Sequence, residues 1–145
     1  MDKVNQIRQL KMLGRKELGL ISKRDLWLLG TGLYIGEGTK KRDHFRIVNS
    51  DPDVVKLAIK WFKDICGVED DNITVSVHIY PDNNEKVCLK YWQRITNLPP
   101  KNFRKTQIDI RKDKKSIKRQ RLPFGTAHIT IISNGNPECG VKLYR

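Results

Sequence analysis

Residues Leu28–Lys40 read Leu-Leu-Gly-Thr-Gly-Leu-Tyr-Ile-Gly-Glu-Gly-Thr-Lys, and their context decides the fold. Just upstream, Ser22-Lys-Arg-Asp25 has the form of a capping box, with Asp25 in place of the usual Glu or Gln. The segment it opens is therefore helical, running through Trp27, Leu28, Leu29, Leu33 and Tyr34 to a glycine stop at Gly38. A helix at this point excludes a dinucleotide-binding loop, which needs a preceding strand and Gly-x-Gly-x-x-Gly spacing. Two local rules are broken here. Glycine inside a helix costs up to about 1 kcal/mol, and an acid such as Glu37 at a helix C-terminus costs roughly 0.3–1 kcal/mol. Segments that violate local rules tend to be functional sites.

Gly32 and Gly36 lie four apart, on one helix face. Small residues at that spacing let two helix backbones approach closely, a device best documented in membranes and used here by analogy. The other reading is a helix that hugs its own sheet. If two copies pack through these glycines, two Glu37 carboxylates converge. Two close carboxylates stay ionised only when a cation joins them, and Mg²⁺ suits a site built from a few carboxylates, water and phosphate oxygens. Metals so placed activate water and stabilise the leaving oxygen in phosphodiester hydrolysis.

The composition points the same way. The chain has 145 residues, with 29 Lys and Arg against 16 Asp and Glu, a net charge of +13. That is one domain's length, with an excess of charge that calls for a polyanionic partner, nucleic acid first. Ten Lys and Arg residues against Asp109 and Asp113 fall between Lys101 and Arg121, a run suited to phosphates without sequence preference. Cys66, Cys88 and Cys139 are widely spaced and show no Cys-x-x-Cys pairing; reduced thiols in a cytoplasmic protein are expected, with Cys66 and Cys88 in the core. His44, His78 and His128 are single and scattered, which argues against a zinc site. No apolar run reaches the ~20 residues of a membrane span.

The remaining elements follow from periodicity and punctuation. Residues 2–13 form a short basic helix interrupted at Gly14 and Gly19, so that 1–21 reads as a basic helical arm and 22–145 as the main domain. Phe45–Asn49 is a strand. Asp51-Pro52 starts a helix whose buried stripe is Val54, Ala58, Trp61, Phe62 and Ile65, ended by Gly67. Ile73, Val75, Val77 and Ile79 alternate with Thr74, Ser76 and His78, the pattern of a strand with one core face. Pro81-Asp-Asn-Asn is a turn, and residues 84–97 are a helix using Cys88, Tyr91, Trp92 and Ile95, stopped by Pro99-Pro100. Thr106–Arg111 and Thr126–Ser133 are further strands, Asn134-Gly135 is a turn, and 137–145 resemble a helix start. Helices and strands interleave too irregularly for a doubly wound sheet, so the fold class is α+β with a mixed or antiparallel sheet.

Gly30–Gly38 resembles the nine-residue motif of the LAGLIDADG homing endonucleases. Gly32, Leu33, Gly36, Glu37 and Gly38 match it. Gly30 and Thr31 depart at its first two positions, and Ile35 stands where the motif has its first Asp. Gly36-Glu-Gly-Thr-Lys-Lys, Asn49-Ser-Asp-Pro, Trp92 with Leu98-Pro99, and Leu122-Pro-Phe-Gly-Thr resemble a bacterial and archaeal LAGLIDADG-like group, over roughly Asp25–Ile132. The resemblance implies a saddle of mixed or antiparallel strands with helices on one face, laid into the major groove of double-stranded DNA. It implies a homodimer packed through the motif helix at Leu29, Gly32, Leu33 and Gly36, and divalent metal, Mg²⁺, held by Glu37 as the catalytic residue. The polar strand faces then supply DNA contacts: Arg46, Thr74, Ser76, His78, Gln107, Arg111, His128 and Thr130, a mix of Arg, Gln and hydroxyls suited to base edges, with Lys40, Lys41, Lys105, Lys118 and Arg119 as basic contacts. The family often uses a lysine near the metal water; Lys40, Lys105 and Lys118 are candidates. The function implied is sequence-specific, metal-dependent DNA cleavage. The alternatives on the same fold are a non-catalytic DNA-binding regulator and an RNA-binding, maturase-like module.

Overall fold

The computed structural model describes residues 2–39, 45–110 and 122–136. Among them are four helices and a four-stranded mixed sheet, an α+β fold. In chain order these are α1 (Lys3–Leu18), α2 (Lys23–Glu37), β1 (Phe45–Asn49), α3 (Pro52–Asp64), β2 (Ile73–Ile79), α4 (Glu85–Thr96), β3 (Gln107–Ile108) and β4 (Thr126–Ile131). The sheet order is β1-β4-β2-β3. β4 is antiparallel to both β1 and β2, and β3 is parallel to β2.

The capping box forms as expected. Ser22 Oγ accepts from the Asp25 backbone N–H at 3.1 Å, and the Asp25 carboxylate accepts from the Ser22 N–H at 2.9 Å. These bonds also hold the Asp25 carboxyl below its usual range. Pro52 occupies the first turn of α3, with Asp51 capping the Asp53 N–H at 2.8 Å and Asn49 holding the Asp51 N–H at 2.8 Å. The Asn-Ser-Asp-Pro stretch is thus a helix start fastened to the end of β1.

Packing of α2, α3 and α4 on one sheet face makes the core. That face carries Ile47, Ile73, Val75, Val77, Ile79, Ala127, Ile129 and Ile131, with Val55, Ala58, Ile59, Phe62, Cys88 and Trp92 from α3 and α4. Burying each large side chain contributes about 1.5–3 kcal/mol. Trp92 is fully buried, and its indole N–H donates to the Phe124 carbonyl at 2.9 Å. The Phe124 ring stacks on Tyr91 at 3.8 Å. Gly125, at φ +71°, follows; a Cβ there would lie 2.2 Å from the His78 carbonyl oxygen. The Leu122–Thr126 segment is therefore a clamp between α4 and the sheet.

Several expectations need correction. α1 runs through Gly14 to Leu18 and stops before Gly19, at φ +66°; one glycine costs too little to break four turns. It contributes no buried residue. The buried face of α3 is Val55, Ala58, Ile59 and Phe62, with Trp61 and Ile65 only half-buried. α4 ends at Asn97, which adopts the left-handed conformation (φ 54°), before the prolines are reached. α2 does end at Gly38, but Gly38 is extended (φ −74°), without a left-handed glycine stop. β3 is only Gln107–Ile108, and Arg111 and residues 137–145 lie outside the described residues. Cys88 is buried and Cys66 half-buried, both as free thiols, with burial pushing Cys66 up to about 11; Cys139 is outside the described residues. No helix among the described residues is long and apolar enough to cross a membrane.

Candidate nucleic-acid interface and the end of helix α2

The two sides of α2 are packed differently. Leu26 and Gly30 are buried, and Leu33 and Tyr34 lean on the core. Gly30 sits against Trp61 of α3: a Cβ at Gly30 would lie 2.0 Å from the indole Cγ and Cδ1. Gly30, a departure from the motif, is thus what lets α2 approach α3 within the chain. On the opposite side Leu28, Leu29, Gly32, Ile35 and Gly36 are exposed, Ile35 at 66 %. A Cβ at Gly32 or Gly36 would meet nothing within 4 Å. Of the four residues expected at a dimer interface, Leu29, Gly32 and Gly36 share this outer side, whereas Leu33 is half-buried against its own core.

The end of α2 is tied to the sheet. The Gly38 N–H donates to the Tyr34 carbonyl at 2.9 Å, Gly38 bridges to Ile47, and the Thr39 N–H donates to the Arg46 carbonyl at 2.8 Å. The Tyr34 hydroxyl donates to the Thr39 carbonyl at 2.9 Å, and its ring lies 5.7 Å from Phe45 and 5.8 Å from Trp61. Glu37 is therefore held exposed beside the β1 edge, about 100° round the helix from Gly36. No basic residue in the last turn offsets its unfavourable position on the helix dipole.

Carboxylate oxygen is the right donor chemistry for Mg²⁺. Among the described residues no group of three or more His, Cys, Asp and Glu side chains is placed to hold a metal ion. The strand order also bears on the lysine candidates. Glu37 adjoins β1 at one sheet edge, whereas Lys105 precedes β3 at the other, three strand spacings or roughly 14 Å away. Lys105 is thus poorly placed to serve Glu37 of its own chain. Lys40 and Lys118 lie outside the described residues, as do Lys41, Arg111 and Arg119.

The sheet's other face brings the remaining candidates together. Register places Arg46, Thr130 and Thr74 in one cross-strand row, Val48, His128 and Ser76 in the next, and Thr126, His78 and Gln107 in a third. Arg46 Nε donates to Thr130 Oγ1 at 3.0 Å, and Thr74 Oγ1 donates to the Thr130 carbonyl at 3.3 Å. Thr74 is buried and is spent on that bond; Arg46, Ser76, His78, His128 and Thr130 are half-buried, while Lys105 and Gln107 are exposed. Lys101 and Arg104 border Thr74 in a groove at the end of this face, which the basic run alone did not locate.

His78 and His128, scattered in sequence, stack with ring centroids 3.6 Å apart and planes 12° from parallel. Burial, His78 and Arg46 pull His128 down to about 4. Burial and Arg46 lower His78, with Asp109 opposing. Both rings are neutral at neutral pH. No sequence signal short of the β2–β4 register would have paired them. No protein-family model, curated protein or solved structure matches this chain.

Proposed function

We propose that this protein is a homodimeric, Mg²⁺-dependent DNA endonuclease of the LAGLIDADG type. The polar sheet face lies on double-stranded DNA, and two copies pack through the outer side of α2. What carries the reading is that outer side: two glycines with open space over them, flanked by exposed Leu28, Leu29 and Ile35, on a helix that ends in an exposed carboxylate at the sheet edge. Exposed apolar side chains around a shallow glycine track suit a second helix backbone, and symmetry then brings the second Glu37 to the first.

Within that dimer Glu37 of each chain would hold the metal; the Thr39–Arg46 bond and the Gly38–Ile47 bridge to β1, braced by the Tyr34 hydroxyl on the Thr39 carbonyl, fix its distance from the DNA-facing strands. The metal, when bound, supplies an activated water and stabilises the leaving oxygen. Arg46, Lys105 and the groove at Lys101 and Arg104 give phosphate contacts, and the neutral side chains between them face base edges.

The test is Glu37→Gln, which keeps size and hydrogen bonding but loses the charge. Cleavage of duplex DNA in Mg²⁺ should fall by more than about 100-fold, while duplex binding changes little. Cleavage by the variant at the wild-type rate sinks the assignment. Ile35, at the position of the motif's first acid, favours one rival, a DNA-binding protein without cleavage; tight duplex binding indifferent to Mg²⁺, with no nicking by the wild type, selects it.

A further inference from the structure

The stacked histidines occupy the middle of the polar face, on its two central strands, β4 and β2. A neutral imidazole carries one donor and one acceptor, so the stack offers two such edges at two levels. Those levels are 3.6 Å apart, close to the ~3.4 Å step between successive bases of a DNA strand. Burial and Arg46 on β1 disfavour charge on either ring, Asp109 beyond β3 favours it on His78, and His78 disfavours charge on His128. A charged pair would grip phosphates regardless of sequence; a neutral pair is fitted to base edges.

Resting on the DNA reading above, we propose that His78 and His128 act as one specificity-determining unit that reads two successive base pairs. The two rings hold each other parallel, so loss of either edge disturbs the reading at both base pairs. Ser76 stands directly across from His128 and Thr126 directly across from His78, polar groups that border the same two-base-pair window.

The experiment selects preferred sites from a pool of randomised duplexes with the wild type and with His78→Phe and His128→Phe. Phenylalanine keeps a stacked ring and the fold but has no donor or acceptor. The wild type should enrich a site, and each variant should lose about tenfold discrimination at the same two adjacent base pairs, with preference elsewhere intact. The edge that His128 offers should also stay neutral from about pH 8 to about pH 6, because burial, His78 and Arg46 pull it down to about 4. Unchanged preference in both variants, or losses at separated positions, overturns the proposal while leaving DNA binding standing. Failure of the wild type to bind any duplex overturns the reading beneath it, and the proposal with it.

Discussion

The inner and outer sides of α2 are built from the same residue types, yet they are in opposite states. On the inner side Gly30 is pressed against Trp61, so its missing side chain is already filled by an indole. On the outer side Gly32 and Gly36 have nothing within 4 Å of where a Cβ would stand. Leucines divide likewise: Leu26 is 4 % exposed, Leu28 51 % and Leu29 46 %. A glycine that a neighbour has filled explains itself through the chain's own packing. A bare glycine in a helix costs stability of up to about 1 kcal/mol and returns nothing within the monomer. The outer side is therefore where a partner is to be sought, and the inner side supplies the internal control.

The largest effect is expected at Gly30. In Gly30→Ala the new methyl collides with the Trp61 ring, which is itself wedged between Tyr34 and Phe62 at centroid distances of 5.8 and 5.4 Å. Overpacking of this kind costs about 1–3 kcal/mol, more than the propensity gained by alanine. For a chain of this size that is a fall of about 2–4 °C in Tm per kcal/mol. A smaller side chain at position 61 should relieve it, so Gly30→Ala combined with Trp61→Leu should lose less than the sum of the two single losses. A stable Gly30→Ala protein would erase the contrast between the two sides.

Next in size is Ser22→Ala, which removes the cap from the whole helix without touching either side. It should cost about 1 kcal/mol, read as a lower midpoint in denaturant. Any loss of dimer or DNA binding in this variant should track stability alone. It thereby calibrates how much of an outer-side effect comes from fraying of α2.

Much of this arrangement was legible in the sequence wherever the signal was local. The Ser22–Asp25 box, the Asp51-Pro52 start and the alternation of Ile73–Ile79 each needed only a few neighbouring residues, and each forms. What was not legible depended on long-range approach. Gly30 read as a mismatch to a motif because nothing in the sequence says that Trp61 will lie over it. The buried stripe of α3 rotated to Val55 and Ile59 because the helix packs against both α2 and the sheet. β3 shrank to two residues because it is an edge strand paired in parallel with β2, a pairing no local alternation specifies. The His78–His128 stack appears only once β2 and β4 are in register.

The smallest change in free energy is the one that bears most on the outer side. Gly32→Ala and Gly36→Ala each place a methyl in open space, so each should raise the stability of the isolated chain by about 0.5–1 kcal/mol through helix propensity. In a dimer packed through these positions the same methyl holds two backbones apart, and the dissociation constant should rise by at least about tenfold, a coupling of about 1.4 kcal/mol. The two readouts move in opposite directions, thermal midpoint up at low concentration and dimer fraction down in sedimentation. Simple helix stabilisation cannot produce that pair, since a firmer α2 would present its outer side better. If both variants stabilise the chain and leave its association unchanged, α2 does not carry the interface, and Glu37 has no second carboxylate to meet there.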